Sequence, residues 1–350
     1  MWRIPWEAAR HGRTWMAWPW DSTIWNCIPG TSLQKAQEAI DRLVRTILKY
    51  ENVSLLVPND QKCELEQRFK AKSDQTFCVE LISAEYNDIW VRDTLPTFAI
   101  ADSGSLVAID WKFNGWGRRV RSYAQYSKDS GLSRKVATLI NAQIVNSGVT
   151  AEGGAFAFDG RGLIVATKSV MFDKFRNHKF SKNTLESALL NASCCSSICW
   201  LPGDRNETIT TGHADSILSF AENNIVLFHW TNDENSPEYD VCDYNLRVFQ
   251  EWAKSQNRQY EIILLPAPDR KYDDSYCASY VNYAHVNGAV IVPKFVEALG
   301  PEDEYARDKI FEAFGGKRRV EMVDMRAIAV AGGSIHCVTQ HEPAAKLSIL

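Results

Sequence analysis

The chain alternates between two hydrophobic rhythms. In four places, two apolar runs are joined by a short polar turn: residues 94–111 (TLPTFAIADSGSLVAIDW), 153–170 (GGAFAFDGRGLIVATKSV), 214–230 (ADSILSFAENNIVLFHW) and 279–295 (SYVNYAHVNGAVIVPKF). The turns fall at Asp102-Ser103-Gly104, Asp159-Gly160, Asn223-Asn224 and Asn287-Gly288. Asn and Gly tolerate the positive φ of a tight turn, so each segment predicts a β-hairpin. Helical spacing and then a short apolar strand follow the hairpins. Helices are expected near residues 182–192, 239–254 and 301–314, with strands at 198–201, 260–265 and 320–323. Near the start, Ile40, Leu43, Val44, Ile47 and Leu48 line one helical face. Thr31 is the expected N-cap there, with Gln34 completing a capping box. The strand at 53–57 then stops at Pro58.

The chain therefore reads as about five strand–strand–helix–strand units, an α/β fold. Each unit opens on a polar residue: Asp93, Glu152, His213, then Asn282 or Ser279, then Cys337. Successive separations of 59, 61 and 124 residues link Asp93, Glu152, His213 and Cys337, the last being about two units. A site fed by every unit lies on the axis of a ring, which predicts a single closed catalytic domain over residues 1–350.

Composition narrows the partners. Lys and Arg total 39 against 43 Asp and Glu, so no basic excess points to nucleic acid. Twelve Trp argue for a packed core. No apolar run approaches the ~20 residues that span a bilayer. Arg3, Glu7, Arg10 and Arg13 interrupt the N-terminal stretch where a signal peptide needs an apolar core. A cytoplasmic protein with no membrane partner is the expectation. The nine cysteines are then mostly free thiols, and Cys194, Cys195 and Cys199 read as structural.

The unit-opening residues bring together one thiol (Cys337), one imidazole (His213) and three carboxylates (Asp93, Glu152, Asp215). A thiol is the strongest side-chain nucleophile, and an imidazole beside it can move protons. Carboxylates match the planar five-donor face of a guanidinium. Flanking glycines, among them Gly153, Gly154 and Gly333, let backbone approach a small ligand. His213 and Asp215 could instead ligate a metal, but no further His–carboxylate cluster completes such a site, so no metal is expected. His336 adjoins Cys337, and strand alternation would turn it to the opposite face as a structural residue. Asn282 and Ser279 are expected to serve hairpin hydrogen bonding.

These motifs resemble the agmatine deiminase and Porphyromonas-type peptidylarginine deiminase family of the guanidino-group modifying superfamily. The resemblance runs through WMAWP near the start, WVRDTLPTF, DWKFNGWG, EGGAFAFDG, TTGHADS, WTNDENSPEY, ASYVNYAHVNGAVIVPKF and GGSIHCVTQHEP. It implies a five-bladed α/β propeller (pentein), no metal, no organic cofactor, and a homodimer. It implies further that Cys337 attacks a guanidinium carbon, that His213 protonates the departing ammonia and then activates water, and that Glu152 orients His213. Asp93 and Asp215 would grip the guanidinium, with Trp90 and Gly333 against the substrate. The implied reaction is hydrolysis of agmatine to N-carbamoylputrescine and ammonia. Two features depart from the agmatine pattern. Leu95 stands where a glycine is usual, which would reshape the pocket wall, and a basic stretch spans Arg118, Arg119 and Arg121. A deiminase of arginine, of C-terminal peptidyl arginine or of another guanidino metabolite therefore stays open. So do an amidinotransferase and a non-catalytic binding module.

Overall fold

The structure is a computed structural model that describes residues 1–71, 75–118, 125–268 and 276–345. The basic stretch at Arg119 and Arg121 lies outside the described residues, as does the side chain of Arg118.

The fold is mixed α/β and, among the described residues, holds five separate sheets of three or four strands. Three follow one plan. Phe156–Phe158 and Leu163–Thr167 form an antiparallel hairpin, the helix Lys182–Ser193 crosses over, and Ser197–Leu201 returns parallel to the second strand. Leu218–Phe220, Ile225–Trp230, the helix Tyr239–Ser255 and Glu261–Pro266 repeat this. So do Ala284–Val286, Ala289–Lys294, the helix Pro301–Ala313 and Arg319–Asp324. The sheet of Thr97–Ala101, Leu106–Asp110 and Gln143–Asn146 adds Trp2–Arg3 at its edge. The fifth sheet is assembled from both ends of the chain. Gln340–Pro343 pairs antiparallel with His11–Ala17, which runs parallel to Val53–Val57, with Val79–Ser83 beyond.

All four expected hairpins form. Asn223 and Asn224 take φ of 53° and 64°, and Gly288 takes 85°, the left-handed backbone their turns need. Every residue of Val53–Val57 and of Leu163–Thr167 is buried. Elements cover both faces of such strands, so their sequences read as continuous apolar runs rather than alternation.

Two expectations fail locally. The first long helix is Leu33–Ile47, and its N-cap is Ser32, whose Oγ accepts from Lys35 N at 3.3 Å. Gln34 donates along the helix to Glu38 Oε1 at 3.0 Å, so no capping box forms, and Thr31 Oγ1 has no partner among the described residues. Leu95 is 1% exposed within the core and does not line the cavity described below. Among the described residues, no helix is long and apolar enough to cross a membrane.

Candidate active site

A residue a few positions before the first strand of each hairpin, and Cys337 before Gln340–Pro343, come to one place. Asp93 sits in the short helix Val91–Thr94, which docks on the Cys337 loop: Arg92 N donates to Cys337 O at 3.2 Å and Arg92 Nε to His336 O at 3.3 Å. Two donors fix the Asp93 carboxylate, Gly154 N on Oδ1 at 2.9 Å and Trp116 Nε1 on Oδ2 at 2.8 Å. Glu152, fully buried, receives Arg176 Nε at 3.0 Å. The remaining nitrogens of Arg176 donate to Thr211 Oγ1 and Thr210 O, which anchors the loop carrying His213.

His213 lies between two acids, its Nε2 3.4 Å from Glu152 Oε2 and its Nδ1 3.9 Å from Asp93 Oδ1. Asp215 Oδ2 pairs with His336 Nδ1 at 2.8 Å and stands 3.8 Å from Cys337 Sγ. Asn282 Nδ2 is 3.2 Å from the same sulfur. Gly154 explains how these groups come so close. A Cβ there would lie 2.7 Å from His213 Nδ1 and 2.9 Å from both Asp215 Oδ2 and Asp93 Oδ1, so only a residue without a side chain leaves them room.

Cys337, His213, Asp93, Asp215, Trp90 and Trp116 line one cavity of about 390 Å³. Glu152 is behind His213 and outside that lining, in the place of an orienting group. Gly333 is also outside it. A Cβ on Gly333 would sit 2.2 Å from the Trp90 ring, so this glycine makes room for the indole, while Gly332 faces the cavity. Among the described residues, the lining contains Asp88, Asp204, Glu207 and Glu238 but no Lys or Arg.

The electrostatics follow from burial and charge. Burial alone would lower the pKa of His213, but Asp93, Glu152 and Asp215 outweigh it and push it up to about 9. Burial raises Asp93, helped by Asp215 and Glu152 and opposed by His213. Burial also acts to raise Glu152, yet the Arg176 charge brings it below the usual range. Asp215 is likewise held down against burial by its bond to His336. Burial, then the charge of Asp215, keeps the Cys337 thiol well above its ordinary value. These shifts favour a cationic imidazole at His213 and a protonated thiol at Cys337.

Sequence reasoning missed several participants. The Cys337 loop is a turn, and its strand begins only at Gln340, so strand alternation does not govern His336. His336 is instead clamped between Asp215 and Glu7, with Nε2 3.0 Å from Glu7 Oε2. Burial pushes Glu7 upward, but Arg92 and His336 hold it well below the carboxylate range. Arg92 is 5% exposed and pairs with Glu7 at 3.3 Å. Asn282 was expected in hairpin bonding and instead touches the sulfur. Its place as the fourth unit-opening residue was the signal for it. Glu7 and Arg176 stand in none of the motifs, and Arg92 was passed over within WVRDTLPTF.

A buried thiol and imidazole thus meet three carboxylates at one cavity, on a mixed α/β fold of small sheets. Comparison with known proteins gives the family. The model of the Porphyromonas-type peptidyl-arginine deiminase family matches residues 3–343, and the chain belongs to that family. It is 32% identical to an agmatine deiminase of Stutzerimonas stutzeri, over 97% of this chain and 95% of that one. It is 30% identical to an agmatine deiminase of Pseudomonas aeruginosa, over 98% and 95%. Its fold matches the agmatine deiminase of Enterococcus faecalis with a TM-score of 0.86 at 24% identity, covering 98% and 96% of the two chains.

Proposed function

We propose that this chain is an agmatine deiminase, a hydrolase that cleaves a C–N bond of a linear amidine through a covalent adduct on Cys337. The observation that carries this reading is the crowding of Asp93, His213 and Asp215 around Gly154, with Asp215 3.8 Å from the Cys337 sulfur. The relatives at 32% and 30% identity are agmatine deiminases, which supports the substrate. An acid-lined cavity without Lys or Arg among the described residues suits a substrate with a second cationic end, and disfavours one ending in a carboxylate.

The guanidinium sits between Asp93 and Asp215, and its charge offsets the carboxylates that hold Cys337 protonated. The thiol gives up its proton to solvent water as the substrate binds, and the thiolate attacks the guanidinium carbon. His213, already protonated, gives its proton to the nitrogen that departs as ammonia, leaving a thiouronium adduct. The neutral imidazole then takes a proton from water, the hydroxide adds to the same carbon, and the C–S bond breaks. The hydroxyl proton passes to the departing sulfur, so the products are N-carbamoylputrescine and the free Cys337 thiol. Glu152 keeps His213 oriented and favours its cationic form at the start of each cycle. Trp90 and Trp116 form the aromatic walls. Glu7 and His336 hold Asp215 in place.

Unit-opening residues from all five sheets reach this one site: Asp93, Glu152, His213, Asn282 and Cys337. That supports reading residues 1–350 as one domain with its sheets set as five blades around an axis. The test is to incubate purified protein with agmatine, arginine and an arginine-ended peptide, then measure ammonia and ureido product. Agmatine alone should yield both. Preference for arginine or the peptide would overturn the substrate, amidination of an added amine would indicate transfer, and no product with any substrate would indicate a binding module.

A further inference from the structure

The cavity that holds Cys337 is also lined by a second cluster of reactive side chains. His229 lies in the strand Ile225–Trp230, Glu238 caps the helix Tyr239–Ser255, and Cys242 follows four residues later on the same helical face. One donor atom from each of the three lies within 4.8 Å of the others. His229 Nε2 is 2.9 Å from Glu238 Oε2, and all three residues line the cavity. His229 Nδ1 is buried and meets no partner among the described residues.

We propose that His229, Glu238 and Cys242 bind a thiophilic divalent cation of the zinc class, and that the bound metal excludes the cationic substrate. Imidazole, thiolate and carboxylate form a zinc donor set rather than a magnesium or calcium one. Three protein ligands leave the fourth tetrahedral position open to the cavity. The acids around it, with no Lys or Arg among the described lining residues, draw cations in. A dication here repels an approaching substrate amine and narrows the space it needs. The bound cation displaces a proton from Cys242, so its affinity rises with pH.

The test separates this site from the catalytic thiol and from the exposed Cys27, Cys63, Cys78 and Cys194. Cobalt(II) is added to the Cys337→Ser protein, and thiolate-to-metal charge-transfer absorption is recorded in the near ultraviolet. A saturable band is expected, and Cys337→Ser/Cys242→Ala should lose it. An undiminished band in the double variant, or none in the single one, overturns the proposal. In a second arm, zinc should compete with substrate in wild-type turnover. Cys242→Ala and His229→Gln should each raise the zinc inhibition constant by roughly 10-fold or more, relative to their own metal-free rates. Equal sensitivity in all three proteins sinks it. The metal-exclusion claim rests on the catalytic reading above, but the cobalt spectrum needs no turnover, so a failure of one is not a failure of the other.

Discussion

The floor of the cavity and the scaffold around it are built on opposite terms. The scaffold buries apolar runs such as Val53–Val57 and Leu163–Thr167, and each contact adds a separate increment. The floor and the layer beneath it bury charge: Asp93, His213 and Asp215 line the cavity, Glu152, His336, Arg92 and Arg176 lie outside its lining, and all seven are at most 6% exposed. Burying a charge is tolerable only when another cancels it, so these groups stand or fall together. Arg176 holds Glu152 down, and Glu152 helps hold His213 up. Removing one member of the floor exposes its partners, whereas removing one scaffold contact costs only that contact.

Substitutions should separate the two regions, with the largest effects on the floor. Cys337→Ser should reduce turnover by roughly 10⁴-fold or more while leaving thermal unfolding near wild type. Retained activity in a steady-state ammonia assay would show that another group is the nucleophile. Asp215→Asn removes the charge that pairs with His336 and that, in the proposed function, grips the guanidinium, and kcat/KM should fall by roughly 10²- to 10³-fold. Unchanged kinetics would remove Asp215 from the site. Gly154→Ala is a mild change on a scaffold surface, yet here its methyl would push three functional atoms apart. About a 10²-fold loss of kcat is expected, from displacement alone. A wild-type rate would mean that the three groups need not be so close.

Glu152→Gln tests the coupling itself. His213 is raised to about 9, so it stays protonated below that pH and loses its proton as pH rises through it. The alkaline limb of the rate profile should therefore lie near that value. Deleting the Glu152 charge removes one of the acids that favour the imidazolium, so the limb should move to lower pH. It also leaves the Arg176 guanidinium without its buried counter-charge, and stability should fall by about 3 kcal/mol. A lower melting temperature with an unmoved limb would make Glu152 purely structural.

What could be read from the sequence divides along the same line. Hairpins and crossover helices follow from turn chemistry and apolar spacing, which act within a few residues, so their positions were legible. The helices at Lys182–Ser193, Tyr239–Ser255 and Pro301–Ala313 match expectation to within a residue or so at each end. Cys337, His213, Asp93, Glu152 and Asp215 were legible because each stands in a motif at a unit boundary. Glu7 and Arg176 were not, because their importance comes only from the charge they meet. Glu7 reaches His336 across 329 residues of chain. His336 was misread for a local reason: its segment turns where a strand was assumed.

The smallest effect belongs to the scaffold and sharpens the contrast from the other side. Ser32 and Thr31 are neighbours, and either could cap the first long helix by composition. The extended backbone of Ser32, with φ −159° and ψ 166°, directs its Oγ to Lys35 N. Ser32→Ala should then cost about 1 kcal/mol, the usual loss for a helix cap. In a chain of this length, that lowers the melting temperature by only about 1–2 °C. Thr31→Ala removes a hydroxyl with no partner among the described residues and should cost nothing measurable or stabilise slightly. Both variants should keep the wild-type kcat/KM, because no charge on the floor depends on this cap. Thermal unfolding of the pair decides the point: a larger loss for Thr31→Ala would return the cap to the residue the sequence pattern favoured.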